Sequence, residues 1–192
     1  MSPPSPTIEQ LRTLRPSALR RLLADGGPIP TEHLAGSAFL GVSLGIPHWV
    51  ERFAWTTFLK CFLAQSSTGA VRGWNVRLRQ TGWEGPVEPL RRRDGEVFSF
   101  GHFAVVAPER KAPAGCGAGL LLDYGQGGNR RLDPLARLRD PLVALAGSDL
   151  LLGWSYLDLG VSVPTPSFFV LRRRGPLDHE AHPPRAPRPV NA

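Results

Sequence analysis

The sequence predicts a mainly β protein, an antiparallel β-barrel of six to eight strands preceded by short N-terminal helices. Twenty-one glycines and twenty prolines divide the 192 residues into short segments, as all-β architectures require. Apolar and polar residues alternate with a period of two over residues 72–80, which is typical of a strand. Residues 150–171 contain two apolar runs joined by a proline-containing loop, which predicts a terminal hairpin. A hydrophobic content of 42% is enough to bury the core of one such domain.

The chain divides into a short leader, one domain and a tail. Residues 1–6 are rich in Pro and Ser and are predicted to be a disordered leader. Residues 7–174 are predicted to be a single barrel-like domain with N-terminal helices, and residues 175–192 a disordered tail rich in Pro and Arg. Thr7 and Gln10 have the spacing of a capping box at the start of the first helix. Pro16 suits the first turn of a second short helix.

The remaining elements follow in chain order. Extended segments are predicted over residues 34–44, 72–80, 96–106, 120–124 and 150–171. The stretch from Pro47 to about residue 55 is predicted as a helix, and an extended segment is predicted after it. Asp133-Pro134 and Asp140-Pro141 each place a capping aspartate before a proline, so two helix starts are predicted there. Both faces of 96–106 are largely apolar, so this strand is expected to be covered on both sides.

The formal net charge of +7 comes almost entirely from arginine, because Lys60 and Lys111 are the only lysines. Arginines are concentrated near the C-terminus, where they are Arg172, Arg173, Arg174, Arg185 and Arg188. The rest of the chain has no sustained basic stripe interleaved with aromatic residues, which nucleic-acid binders usually show. Nucleic acid is therefore not an expected partner.

The sequence pattern predicts neither a membrane span nor a targeting signal. No uncharged apolar run reaches the roughly 20 residues that a membrane span needs, so no span is predicted. The N-terminus lacks a basic region followed by an apolar stretch, so no secretory signal is predicted and a cytoplasmic location is expected.

The sequence predicts neither a metal site nor a cofactor. Cys61 and Cys116 are the only cysteines, and they form no ligand cluster with the five histidines. Cys61 is expected to act as a small buried hydrophobe. Glycines 115, 117 and 119 precede an apolar strand rather than a helix, so they do not predict a nucleotide loop.

His102 is the titratable group that bears most directly on function. It lies on a predicted strand between Phe100 and Ala104, so it either hydrogen-bonds within the core or points into a cavity. As a general base it would need a partner, and Asp123 or Tyr124 on a neighbouring strand are the candidates. In a barrel of about eight strands, aromatic and polar strand residues border an interior that holds one small ligand. The predicted ligand-binding residues are Trp74, Asn75, Phe100, His102, Tyr124, Trp154 and Tyr156.

Five segments between residues 30 and 172 carry a family resemblance. They are Ser37-Ala-Phe39-Leu-Gly41, Lys60-x-Phe62, Leu121-Leu-Asp123-Tyr124, Asp149-Leu-Leu-Leu-Gly153 and Phe168-Phe-Val-Leu-Arg172. Together they resemble a small bacterial family built from a Gly-x-Trp-x-Gly domain and a following β-domain. Ser37 stands where that family has its first glycine, and Phe39 where it has tryptophan. The family is similar to the lipocalin-like, or calycin, barrels, so the resemblance implies that fold but no established activity.

Three functions fit these observations. The favoured one is non-covalent binding of a small, mostly apolar molecule inside the barrel. The first alternative is a cyclase, isomerase or hydrolase that acts on an apolar metabolite with His102 as the base and Asp123 or Tyr124 assisting. The second is a protein-interaction module whose Arg-rich tail recruits an acidic partner. Barrel folds serve all of these roles, so fold alone does not decide between them.

Overall fold

The computed structural model describes residues 5–45, 56–108, 116 and 118–187. The helices within these ranges are α1 (Ile8–Thr13), α2 (Pro16–Ala24), α3 (Thr31–Leu34) and a 3-10 helix (Pro134–Arg137). The strands are β1 (Ser37–Leu44), β2 (Thr57–Ala64), β3 (Val71–Arg77), β4 (Ser99–Val106), β5 (Leu120–Asp123), β6 (Leu138–Ala144), β7 (Leu150–Asp158) and β8 (Ser162–Pro176). The helix predicted from Pro47 to about residue 55 lies outside the described residues. The extended segment predicted after it is β2.

The strands form a closed barrel in chain order. Each strand pairs antiparallel with the next, and β8 pairs with β1 to complete the ring. Gly41 of β1, for example, lies opposite Phe58 of β2 on one side and Leu171 of β8 on the other. Closure gives every strand a neighbour on both sides, so the sheet has no free edge strand. The predicted fold class, a mainly β antiparallel barrel of six to eight strands with short N-terminal helices, is confirmed.

The N-terminal helices cover the outside of the barrel and close one of its ends. The Thr7 side chain accepts a hydrogen bond from the Gln10 amide, and the Gln10 side chain accepts one from the Thr7 amide, which is the predicted capping box. Leu11 of α1 and Leu19 of α2 are buried in the apolar cluster on the outer face of the sheet. Leu34 of α3 belongs instead to the cluster inside the barrel. None of the helices in the described part of the chain has the length and hydropathy of a membrane span.

The Asp140-Pro141 pair is not a helix start, so that prediction is wrong. Both residues lie in β6, where Pro141 pairs with Leu121 of β5. The Asp140 carboxylate accepts a hydrogen bond from a buried tyrosine instead of capping a helix. Asp133 does cap the 3-10 helix, because its side chain accepts from the Leu135 amide. The sequence signal identifies an aspartate that is able to cap, but strand pairing decides whether it does.

Strand β4 is buried on both faces, as its two apolar faces predict. The loop after β5 folds back over it: the Asn129 side chain accepts from the His102 amide at 2.9 Å and donates to the His102 carbonyl at 2.6 Å. Asn129 thus takes the place of a neighbouring strand where β5 is too short to pair. Gly127 approaches so closely that a Cβ there would lie 1.9 Å from the His102 carbonyl oxygen.

The segment after β8 lies along the outside of the barrel, whereas the sequence predicts a disordered tail from residue 175. Strand β8 itself runs to Pro176. Beyond it, Arg72 Nη2 donates to Glu180 Oε1 at 2.6 Å, and Trp74 Nε1 donates to His179 Nε2 at 3.4 Å. The segment covers the outward-facing ring of Trp74, which is fully buried. Burial of that aromatic surface accounts for the contact.

Candidate functional site

The interior of the barrel, called the lumen below, has two different halves. The closed half lies next to α3 and is apolar; its core residues are Leu34, Phe39, Phe62, Phe103, Leu142 and Leu171. Phe62 packs edge-on against both Phe39 and Phe103, with ring centroids 5.5 Å apart in each case. The open half lies at the other end of the strands and contains polar side chains.

Cross-strand pairs of glycine and phenylalanine shape the lumen. The pairs are Gly41–Phe58, Gly73–Phe103 and Gly153–Phe169. A Cβ at the three glycines would come within 2.3, 2.4 and 2.1 Å of the facing ring, respectively. Each ring therefore lies across its glycine, and the backbone of the neighbouring strand forms part of the wall. Glycine in these strands provides space for aromatic rings rather than a turn.

A cavity of about 190 Å³ occupies the open half. Its apolar wall consists of Phe58, Phe100, Tyr124, Leu135, Leu138 and Phe169. Its polar groups come from Ser43, Lys60, Asn75, Asp140, Ser155 and Ser167. Apolar walls with a few convergent polar groups are the usual composition of a small-molecule site.

Four of the lining residues form one hydrogen-bonded network. Lys60 Nζ donates to Tyr124 Oη at 2.8 Å and lies 3.3 Å from Asp140 Oδ2. Tyr124 Oη donates to the same Asp140 oxygen at 2.8 Å. Asn75 Nδ2 donates to Tyr124 Oη at 3.3 Å. The barrel register brings these groups together from β2, β3, β6 and the end of β5.

Aromatic rings surround the Lys60 ammonium. Its Nζ lies 4.9 Å from the ring centroids of both Phe103 and Phe169. The centroids of Tyr124 and Phe58 are 5.3 and 5.6 Å away. These distances are within cation–π range, so the rings partly replace the water that the ammonium loses. Three of them, Phe58, Tyr124 and Phe169, also line the cavity.

Burial sets the electrostatics of this network. The side chains of Lys60 and Asp140 are 1% and 2% exposed. Burial lowers the pKa of Lys60, because desolvation disfavours the ammonium; the charge and hydrogen bond of Asp140 act in the opposite direction. Burial, reinforced by the negative charge of Asp140, raises the pKa of Tyr124 well above its usual value. Tyr124 therefore keeps its proton and remains a hydrogen-bond donor.

The network has hydrogen-bonding capacity left over. Asp140 Oδ1 is buried and has no hydrogen-bond partner among the described residues. The Lys60 ammonium has three N–H donors and, within the same part of the chain, two acceptor partners. A buried carboxylate oxygen without a donor costs free energy. Both a donor and an acceptor could therefore be satisfied by a bound polar group.

Three of the predicted ligand-binding residues lie in the open half of the lumen. Asn75, Phe100 and Tyr124 all line the cavity. Asn75 also donates to the Gly101 carbonyl at 3.1 Å, which fixes its amide group. Gly101 adopts a positive φ of 52°, and the bulge at this point turns Phe100 towards the cavity.

The other four predicted ligand-binding residues face outward, so their expected position inside the barrel is wrong. Trp74 lies in the outer cluster and packs against His102 at a ring-centroid distance of 6.2 Å. Trp154 is in the same cluster and stacks on Phe168 at 5.5 Å. Tyr156 faces away from the lumen, because it follows the cavity residue Ser155 on β7. Burial raises its pKa to about 12.

The predicted catalytic residues His102, Asp123 and Tyr124 do not form one site. Asp123 is held on the outer face by Arg139 at 3.0 Å and by the amide of Gly125 at 2.7 Å, whereas Tyr124 points into the lumen. Burial, together with the positive charges of nearby arginines, lowers the pKa of His102 to about 4. His102 lines a separate outer cavity of about 210 Å³. The imidazole is therefore neutral at pH 7 and lies on the other side of the barrel wall from the polar network.

Lys60 and Asp140 are the site residues that the sequence reasoning missed. Lys60 carried a usable signal: it alternates with Phe58 and Phe62 on one face of an apolar strand, and a charge on such a face needs a partner. The Asp140-Pro141 pair has the pattern of a helix start, so the sequence did not indicate that Asp140 lines the lumen. Within the described residues, no group of three or more His, Cys, Asp or Glu side chains could hold a metal ion.

Comparison with known proteins identifies no relative of this chain. No protein-family model, curated protein or solved structure matches the chain. The resemblance to lipocalin-like barrels therefore stays a prediction, and the function has to be argued from the lumen itself.

Proposed function

We propose that the open half of the lumen binds a small, mostly apolar, uncharged molecule that carries one polar group. The observation that carries this proposal is a phenylalanine-walled cavity that has the incompletely paired Lys60–Tyr124–Asp140 network on one side. The aromatic wall supplies apolar contact, and the network orients the polar group. Binding is non-covalent in this proposal.

The volume sets the size of the ligand. An engineered protein cavity of about 150 Å³ holds benzene. A cavity of about 190 Å³ therefore suits a single ring or a short branched chain with one small substituent. A larger ligand would project through the open end, past Phe100.

The charges of the network favour a neutral polar group. Lys60 and Asp140 carry opposite charges and sum to zero when both are ionised. A hydroxyl group can accept a hydrogen bond from Lys60 and donate one to Asp140 Oδ1. A ligand carboxylate would meet the Asp140 carboxylate in a site of low dielectric constant, where like charges repel strongly. A hydroxyl or carbonyl compound is thus preferred over an acid.

Calorimetric titration with toluene, benzyl alcohol and benzoate tests this proposal, because the three probes share one ring. Benzyl alcohol is expected to bind at least about 10-fold more tightly than toluene, since a hydrogen bond to a charged group contributes about 1.5–3 kcal/mol. Benzoate is expected to bind most weakly. Failure of all three probes to bind would overturn the proposal.

Two variants locate the binding site. The double substitution Lys60→Met with Asp140→Leu removes the charged pair of the network, so it should retain toluene binding and reduce the preference for the alcohol. His102→Phe alters the outer cavity and should leave binding of all three probes unchanged. Loss of binding in His102→Phe alone would assign the ligand to the outer cavity instead of the lumen.

The alternatives predicted from sequence have less support. A general-base enzyme would need His102 to be paired with Asp123 or Tyr124, but Tyr124 points into the lumen and the Asp123 carboxylate is paired with Arg139. An interaction module would need the segment after residue 174 to be free, but Arg72 donates to the Glu180 carboxylate at 2.6 Å and to the Ala181 carbonyl at 2.9 Å, which holds part of that segment against the barrel.

A further inference from the structure

Lys60 has an unusual position for a primary amine. It is one of only two lysines in the chain, and its side chain is almost fully buried. It nevertheless forms part of the wall of the 190 Å³ cavity, beside a tyrosine hydroxyl and a carboxylate. A ligand seated in the cavity would place its polar group next to this amine.

We propose that the lumen takes small apolar aldehydes and that Lys60 Nζ forms a reversible imine with them. This inference rests on the proposed function, because it names the polar group of the bound molecule and what happens to it. Three features carry it: the amine in the cavity wall, the Tyr124 hydroxyl 2.8 Å from it, and the Asp140 carboxylate 3.3 Å from it.

The neighbouring groups can carry every proton that the reaction needs. Asp140 accepts a proton from the Lys60 ammonium, and the neutral amine attacks the aldehyde carbon, so that a C–N bond forms. Tyr124 donates to the carbonyl oxygen and regains its proton from Asp140, which is 2.8 Å away. Asp140 next takes one proton from the nitrogen and, through Tyr124, this proton reaches the hydroxyl oxygen of the adduct. The C–O bond breaks as the C=N bond forms, and water leaves. The product is a protonated imine paired with the Asp140 carboxylate, and no redox change occurs.

The surroundings favour this reaction over simple retention of the ammonium. Burial lowers the pKa of Lys60, so a larger fraction of this lysine is in the nucleophilic neutral form than in an exposed lysine. The rings around Nζ keep bulk water away, which limits hydrolysis of the imine. An aldehyde has only a hydrogen on one side of its carbon, so it fits between those rings better than a ketone.

Reductive trapping tests the inference. The full-length protein is incubated with benzaldehyde and cyanoborohydride, which reduces the imine to a stable secondary amine, and the modified residue is located by peptide mass spectrometry. Lys60 is expected to be modified well before Lys111 and the N-terminal amine. Because this readout uses the wild-type chain, it does not depend on whether a variant folds. Modification of Lys111 at the same rate as Lys60 would overturn the inference.

The chain offers matched variants. Lys111→Arg should leave the rate of trapping at Lys60 unchanged. Lys60→Met should leave only the slower modification of Lys111 and the N-terminal amine. Tyr124→Phe should slow trapping by about 100-fold, as expected for loss of a general acid. Equal trapping rates in Tyr124→Phe and wild type would remove Tyr124 from the mechanism described above.

Benzyl alcohol separates this inference from the proposed function, because it fills the same space and cannot form an imine. If benzyl alcohol and benzaldehyde both bind but benzaldehyde is not trapped at Lys60, imine formation is wrong and the binding function stands. If excess benzyl alcohol slows trapping at Lys60, both are supported. If neither probe binds and Lys60 is not trapped, both proposals fail.

Discussion

The closed and open halves of the lumen are built from the same eight strands but differ in chemistry. In β2, Phe62 packs between two other rings in the closed half, whereas Lys60, two residues earlier on the same face, is an ammonium in the open half. In β6, Leu142 and Asp140 differ in the same way. Two residues along each of these strands therefore separate the close-packed core from the buried charge pair.

This difference indicates that the two halves of the lumen contribute unequally to the stability of the fold. Packed apolar groups in the closed half stabilise the fold by burial. The buried pair in the open half stabilises it little, because desolvation of two charges offsets their attraction. The polar network is therefore expected to contribute little to stability, in line with the binding role proposed for it, and substitutions in the two halves should differ in their effects on the free energy of unfolding.

The largest effect is expected in the closed half. Phe62→Ala removes a fully buried ring that contacts Phe39 and Phe103, so the free energy of unfolding should fall by about 3–5 kcal/mol. Phe100→Ala, at the half-buried open end, should cost clearly less stability but weaken binding of benzyl alcohol. Urea unfolding of both variants measures the contrast. Equal losses in the two variants would mean that the halves do not differ in packing.

Substitution of one member of the charge pair should cause a comparable loss of stability. Substitution of the other member as well should cancel that loss. Asp140→Leu leaves the Lys60 charge buried without its partner and should cost about 3 kcal/mol. Adding Lys60→Met should restore stability to the wild-type level or about 1–4 kcal/mol above it. A double variant that stays as unstable as Asp140→Leu would show that the pair supports the fold directly.

The pH dependence gives an independent check on Asp140→Leu. The pKa of Lys60 is lowered in the folded state, so the unfolded chain binds more protons at this residue, and stability rises with pH up to the usual pKa of lysine. Loss of Asp140 lowers the pKa of Lys60 further, because its charge opposed the shift. The deficit of Asp140→Leu relative to wild type should therefore shrink as pH increases.

The smallest effect is expected from Gly153→Ala, at the border between the halves. A Cβ there would lie 2.1 Å from the Phe169 ring, and the overpacking should cost about 1–3 kcal/mol. The displaced ring should also narrow the cavity and weaken toluene binding in calorimetry. Combining Gly153→Ala with Phe169→Leu should recover stability, because the smaller side chain no longer occupies the space above residue 153.

The sequence predicts the barrel well but does not predict which face of each strand lies inside. The alternation in β3 identifies a strand, and the apolar face with Trp74 was expected to line the lumen. The outer surface is itself covered by helices and by the segment after β8, so both faces are buried and alternation does not distinguish them. Asn75, on the more polar face, is the residue that points inward.

The polar network is harder to predict than the strands. Lys60 and Asp140 are 80 residues apart in sequence, and their contact depends on the register of every strand between them. Local patterns carry no information on such a pairing. Only the isolated charge at Lys60, on an otherwise apolar face, indicated that some partner must exist.

The closure of the barrel has a consequence for how the chain reaches this structure. Arg173 and Ser37, which meet where the last strand joins the first, are separated by 136 positions. Contacts between residues so distant in sequence carry a large loop-closure entropy, and topologies dominated by them fold in milliseconds to seconds rather than microseconds. During synthesis, the first strand must therefore wait for nearly the whole domain to be translated before it acquires its second neighbour.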